Sequence, residues 1–108
     1  RGLLRGLGYA GAVKSPTYTI VESYILPQFA LHHFDLYRFA SPEEWEDAGL
    51  DELFASDCVC LIEWPQQGGG FTPPADITVS LNHTDGGRAC TLTAHTANGR
   101  KSLEAWLN

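Results

Sequence analysis

Cys58-Val59-Cys60-Leu61-Ile62-Glu63-Trp64-Pro65 is the stretch of this 108-residue chain on which its fold turns. A short apolar run containing β-branched residues, bounded by a proline, reads as a strand buried inside an α/β sheet. The run ends in a single carboxylate and then breaks. Glu63 is thereby delivered to the rim of the sheet, where open α/β sheets bind ligands at the carboxyl ends of their strands. A carboxylate in that place serves equally as the ion-pair partner of a lysine or arginine, and the residues alone leave both uses open.

Working outward, Leu31-His32-His33-Phe34-Asp35-Leu36-Tyr37-Arg38 offers Asp35 in a similar setting. Two acidic groups on neighbouring strand ends suit a hard cation such as magnesium, which takes oxygen ligands. His32 and His33 are adjacent, so on a strand they face opposite ways, one buried or hydrogen-bonded and the other exposed. A zinc site on His32, Asp35 and Glu63, as in a small metal hydrolase, is a competing use of the same residues.

The flanking segments supply the frame. Tyr18 to Ile25 reads as a strand, Pro27-Gln28 as a turn and Phe29 to Leu36 as a returning strand, giving a hairpin. Ser41-Pro42-Glu43-Glu44 predicts a helix start, with Ser41 as cap, Pro42 at the first position and Glu44 reaching back. That helix runs through Trp45 to about Ala48 and stops near Gly49. A second helical piece, Leu50 to Phe54, carries Asp51 and Glu52 at its start, where the macrodipole favours them. Gln66 to Pro74, with three successive glycines, reads as a flexible loop. Ile77 to His95 reads as an antiparallel hairpin around Asp85-Gly86-Gly87 with one face buried, and Lys101 to Leu107 as a terminal helix.

The length fits a single domain, or part of one, over residues 1–108. Seven basic against thirteen acidic residues give a formal net charge of −6. A protein gripping nucleic acid by itself needs a basic face to neutralise phosphates. None is evident, so a role on nucleic acid is expected to run through a partner protein. Three cysteines without a Cys-x-x-Cys pair read as buried, reduced thiols of a cytoplasmic protein. No apolar stretch is long enough to cross a bilayer. Arg1 to Leu7 reads as the last turns of a helix closed by Gly8, too short to stand alone, so a longer element is expected ahead of it.

Three further features each have two readings. Lys14-Ser15-Pro16-Thr17-Tyr18-Thr19 puts hydroxyls in a loop entering a strand, either as plain turn chemistry or as a switch contacting metal or phosphate. Trp64 suits stacking on a ligand or partner, or anchoring a core. Arg88 suits a phosphate or base contact, or open solvent.

Together, Ser15-Pro16-Thr17-Tyr18-Thr19, His33-Phe34-Asp35-Leu36-Tyr37-Arg38 and Glu63-Trp64-Pro65 resemble the ordered motifs of the bacterial TsaE (YjeE) family of P-loop ATPases. The resemblance spans essentially the whole chain and is strongest from Lys14 to Gln67. It implies a P-loop NTPase-like mixed sheet flanked by helices. It implies an accessory ATPase for threonylcarbamoyl modification of the anticodon-adjacent adenosine, acting with TsaB and TsaD and touching tRNA only through that complex. Glu63 then matches a magnesium-site carboxylate on a Walker B-like strand, and Asp35 a second acid near metal and attacking water. Thr17 and Thr19 match the switch-like loop, Trp64 a tryptophan near the nucleotide, and Arg88 a possible nucleotide contact.

One departure matters. The sequence has no G-x-x-x-x-G-K-[ST] loop, which in this family would lie immediately before Arg1, and its first strand is lacking with it. That loop carries the backbone donors and lysine that hold phosphates. The 108 residues as written are therefore expected to bind and hydrolyse ATP poorly or not at all. The other reading is a non-catalytic interaction module that keeps only the partner-binding surface.

Overall fold

The computed structural model describes residues 2–7, 11, 20–54 and 58–107. They fall into two compact units, Arg1–Thr72 and Pro73–Asn108.

The first unit is built on a three-stranded mixed sheet in the order β1 (Val21–Ile25), β2 (Ala30–Asp35), β3 (Cys58–Glu63). The expected hairpin is present: β1 pairs antiparallel with β2, from Val21 opposite Phe34 to Ile25 opposite Ala30. Leu26 N–H closes the Pro27-Gln28 turn on the Phe29 carbonyl at 3.0 Å. Strand β3 lies parallel to β2, from Ala30 beside Cys58 to Asp35 beside Glu63. A parallel neighbour requires a crossover, and the segment between these strands supplies it. Among the described strands β3 is at the margin of the sheet, with nothing paired along its outer side.

The alternation of side chains along β2 gives both faces of the sheet something to bury. Phe34 points into a cluster with Leu36, Phe39, Trp45 and Leu50, edged by Cys60, Ile62 and Phe54. Leu31 points the other way, to Tyr24, Leu26 and Leu4, the last carried by the short helix α1 (Gly2–Gly6). Gly8, expected to close that helix, lies outside the described residues.

The crossover begins with α2 (Glu44–Asp47). The capping box forms from one side: the Glu44 carboxylate accepts Ser41 N–H at 3.0 Å and Ala40 N–H as well. No side-chain bond caps the helix in return. Trp45 is fully buried, and its indole Nε1–H donates to Asp51 Oδ1 at 2.7 Å. Asp51 sits in the 3₁₀ turn Leu50–Leu53, the second helical piece expected from the sequence. Its carboxylate thus anchors the core tryptophan as well as sitting at the start of that turn.

Residues 66–74 correct the expectation of a flexible loop. Pro65–Phe71 is a folded 3₁₀ segment, interrupted at Gly69 (φ 54°, ψ −136°). Two of the glycines are there for space and conformation. A Cβ on Gly68 would stand 2.0 Å from Thr72 Oγ1 and 3.2 Å from Leu36 Cδ1. Gly69 adopts a positive φ that side chains disfavour, and a Cβ there would meet Pro42 at 3.1 Å. Thr72 Oγ1 donates to the Pro65 carbonyl at 2.9 Å and ties the ends of the segment together. We expect Gly68→Ala to displace that hydroxyl and lower unfolding free energy by about 1–3 kcal/mol, read as a fall in the urea midpoint. An unchanged midpoint would show that the segment gives way freely.

The second unit pairs β4 (Ile77–Thr84) with β5 (Gly87–Ala94) across the two-residue turn Asp85-Gly86. Helix α3 (Ala97–Leu107) starts four residues ahead of the expected Lys101, because Thr96 caps it. Thr96 Oγ1 accepts Gly99 N–H at 3.0 Å and donates to Asp76 Oδ1 at 2.7 Å. The expectation of a buried hairpin face is corrected: Val79 is 59% and Leu81 63% exposed. A two-stranded ribbon with one helix has too few partners to cover an apolar row of that length. Cys90, on that same row, is exposed too, whereas Cys58 and Cys60 are half-buried.

Candidate functional site

The carboxyl ends of β2 and β3 carry the acidic residues singled out in the sequence. Asp35 and Glu63 are the last residues of their strands and stand side by side in the parallel register. Register partners on adjacent strands project from the same face, so the two side chains share one edge of the sheet. Each is held by a neighbour through one oxygen. Asp35 Oδ1 accepts the backbone N–H of Tyr37 at 3.0 Å, which folds the chain back immediately after the strand. Glu63 Oε2 lies 3.0 Å from Nε2 of His33. Oδ2 of Asp35 and Oε1 of Glu63 are the other acceptors of the pair.

The chain turns sharply beyond Glu63. Trp64 has φ 58° and ψ 49°, the one non-glycine residue at positive φ among those described. A bulky side chain pays a steric penalty there, and such conformations cluster at functional sites. Pro65 follows as the first residue of the 3₁₀ segment. The Trp64 ring is 47% exposed and leans on that of Tyr37, centroids 5.0 Å apart and planes tilted 54°. Trp64 is not a core anchor. It presents an aromatic surface beside the two carboxylates.

The histidines face opposite ways as expected for adjacent strand residues, but neither is the exposed one expected: both are half-buried and hydrogen-bonded. His32 Nδ1 meets Ser23 Oγ at 2.7 Å on the face that carries Phe34, while His33 turns to Glu63 on the other. A zinc centre using His32 with Asp35 and Glu63 is not supported. Among the described residues no three His, Cys, Asp or Glu side chains are grouped to hold a metal ion. Two carboxylates are nevertheless a fitting set for magnesium, which is commonly held by one or two of them together with substrate phosphates.

Burial, and then the adjacent Cys58 thiol, push the Cys60 pKa up to about 12. It stays protonated and unreactive at neutral pH.

Thr17 and Thr19 lie outside the described residues. Arg88 belongs to the second unit, opposite His83 beside the hairpin turn, and is exposed. Sequence reasoning missed the contact between His33 and Glu63 and that between Tyr37 and Trp64. Period-two alternation puts His33 and Asp35 on one face, but only the parallel register with β3 shows that Glu63 joins them.

A family model described as threonylcarbamoyl adenosine biosynthesis protein TsaE matches residues 1–90. The chain is 46% identical over 108 residues to the tRNA threonylcarbamoyladenosine biosynthesis protein TsaE of Haemophilus influenzae, a match covering 100% of this chain and 68% of that protein. It is 45% identical over 95 residues to the Bacillus subtilis protein of the same description, covering 87% of this chain and 59% of the relative. Among solved structures, Bacillus subtilis YdiB superposes with a TM-score of 0.68 at 27% identity, over 99% of this chain and 67% of its own. Among the described residues no helix is long and apolar enough to cross a membrane.

Proposed function

Because the chain belongs to the family of threonylcarbamoyl adenosine biosynthesis protein TsaE, we propose that it serves that tRNA modification as the accessory ATPase component. On this reading it has a P-loop NTPase-like fold and works in the cytoplasm with TsaB and TsaD, meeting tRNA only through them. One observation carries the reading: Asp35 and Glu63 end adjacent parallel strands in direct register. That is the edge at which α/β sheets present ligand-binding groups.

Magnesium bound with ATP would supply charge neutralisation at the transferring phosphate. Glu63 and Asp35 are the residues to hold it, through the oxygens that His33 and Tyr37 do not engage. Asp35 also lies well to orient the attacking water. Trp64, exposed and fixed by its backbone turn, offers a flat surface against the nucleotide. Thr17 and Thr19 fit the role of hydroxyls that order around it. Catalysis of phosphoryl transfer rests on positioning and on stabilising charge, which these groups provide only jointly with a phosphate-binding loop.

A second reading follows from the sequence, which contains no such loop. The 108 residues by themselves would then act as an interaction module for the TsaB–TsaD pair. Calorimetric titration separates the two. We expect magnesium–ATP to produce no saturable binding to the 108-residue chain, and micromolar binding once a relative's phosphate-loop segment is joined ahead of Arg1. Saturable ATP binding by the unextended chain would contradict the assignment of phosphate recognition to that loop. Unchanged affinity for the TsaB–TsaD pair with and without ATP would favour the module.

A further inference from the structure

We infer that His33 is a positioning residue for Glu63, holding one carboxylate oxygen against the sheet so that the other is aimed outward. The inference rests on the reading above, in which Glu63 serves an ATP-hydrolysing site. It starts from three facts of geometry. His33 Nε2 and Glu63 Oε2 are 3.0 Å apart, although the two residues come from different strands and are thirty positions apart in the chain. His33 is the more enclosed partner, its side chain 27% exposed against 59% for Glu63. It projects from the middle of the sheet, on β2 between β1 and β3, with Glu22 opposite it on β1 and Leu61 beside it on β3.

The alternative fates of Glu63 show why this matters. A glutamate has three rotatable side-chain bonds and loses much rotamer freedom when fixed. At a half-exposed strand end nothing in its own strand would choose among its rotamers. A hydrogen bond to an enclosed imidazole chooses one. In the parallel register His33 stands diagonal to Glu63, two residues before Asp35, and reaches its carboxylate from there. One strand therefore supplies both the second carboxylate and the brace for the first. Placing a reacting or ligating group within a fraction of an ångström is where such supporting bonds act, and loosening them lowers turnover more than substrate binding.

The test uses the chain with a phosphate-loop segment joined ahead of Arg1, assayed for magnesium-dependent ATP hydrolysis. His33→Leu removes the donor and keeps the bulk. His33→Gln places an amide nitrogen close to where Nε2 stands. We expect H33L to lower kcat about 5- to 50-fold with KM for ATP within twofold, and H33Q to recover most of the loss. On a Glu63→Gln background, H33L should cost no more than about twofold further, because the two residues act as a unit. Wild-type kcat in H33L, or an equal loss on both backgrounds, would overturn the positioning role. Should H33L fail to fold, H33Q against His33→Asn, whose shorter amide cannot reach Glu63, gives the same comparison. If E63Q itself turns over like the unaltered protein, the reading of the site fails. If E63Q collapses while H33L does not, only the inference about His33 fails.

Discussion

Glu63→Ala and Asp35→Ala, each in the chain joined to a phosphate-loop segment, are expected to reduce ATP turnover by on the order of 10²–10³-fold, the scale on which single preorganised electrostatic groups act. The double variant should be little worse than either single one, since both carboxylates serve one cluster of charge. Neither substitution should unfold the protein. Glu63 is more than half exposed, and among the described residues the Asp35 side chain makes the local bond to Tyr37 N–H. Near-wild-type thermal midpoints together with lost hydrolysis would locate the defect in chemistry. Near-wild-type turnover in either variant would remove the proposed mechanism. Formation of threonylcarbamoyladenosine in a mixture with TsaB and TsaD should fall in parallel.

The largest expected effect on stability is at Trp45. Its ring is fully buried, stacked on Phe34 at 5.7 Å and tilted against Phe54 at 5.8 Å between centroids. Trp45→Ala would open a hole between the crossover and the sheet and strand the Asp51 carboxylate without its indole donor. Truncations of this kind cost about 3–5 kcal/mol, a large share of what a small domain has. We expect the variant to lose the cooperative urea transition of the parent. Trp45→Phe should restore most of it and fall short by about 1 kcal/mol, the worth of the missing hydrogen bond. A cooperative transition near the parent midpoint in W45A would show that the Phe34 cluster does not organise this unit.

The sequence was most informative where local chemistry and tertiary role coincide. The run from Cys58 to Ile62 is a strand that Glu63 ends, as expected, but not the buried one expected, since Val59 and Leu61 are exposed. Glu44 points back to Ser41 as a capping residue should, and Gly49, at positive φ, separates that helix from the 3₁₀ turn after it. Legibility stops where a contact depends on register or on space. Nothing local shows that Gly68 and Gly69 are squeezed against Thr72, Leu36 and Pro42, so three glycines in a row look merely pliable. The alternation of Ile77, Val79 and Leu81 is a true strand signal, but it tells which residues share a face and not whether a second layer covers them. At the site, Asp35, Glu63 and Trp64 are visible as residue types at a strand terminus. His33 is not, because its meaning comes from a strand it meets only after a crossover.

Among the described strands β3 has a partner on one side only, and its outward-facing Val59 and Leu61 are about 40% exposed (41% and 37%). The flank that no described strand pairs offers a row of amides and carbonyls to any extended backbone nearby, and no lysine or proline within the strand discourages that approach. At the high concentrations used for spectroscopy, this polypeptide should therefore self-associate through that flank, turning a property of one sheet margin into a ceiling on solubility.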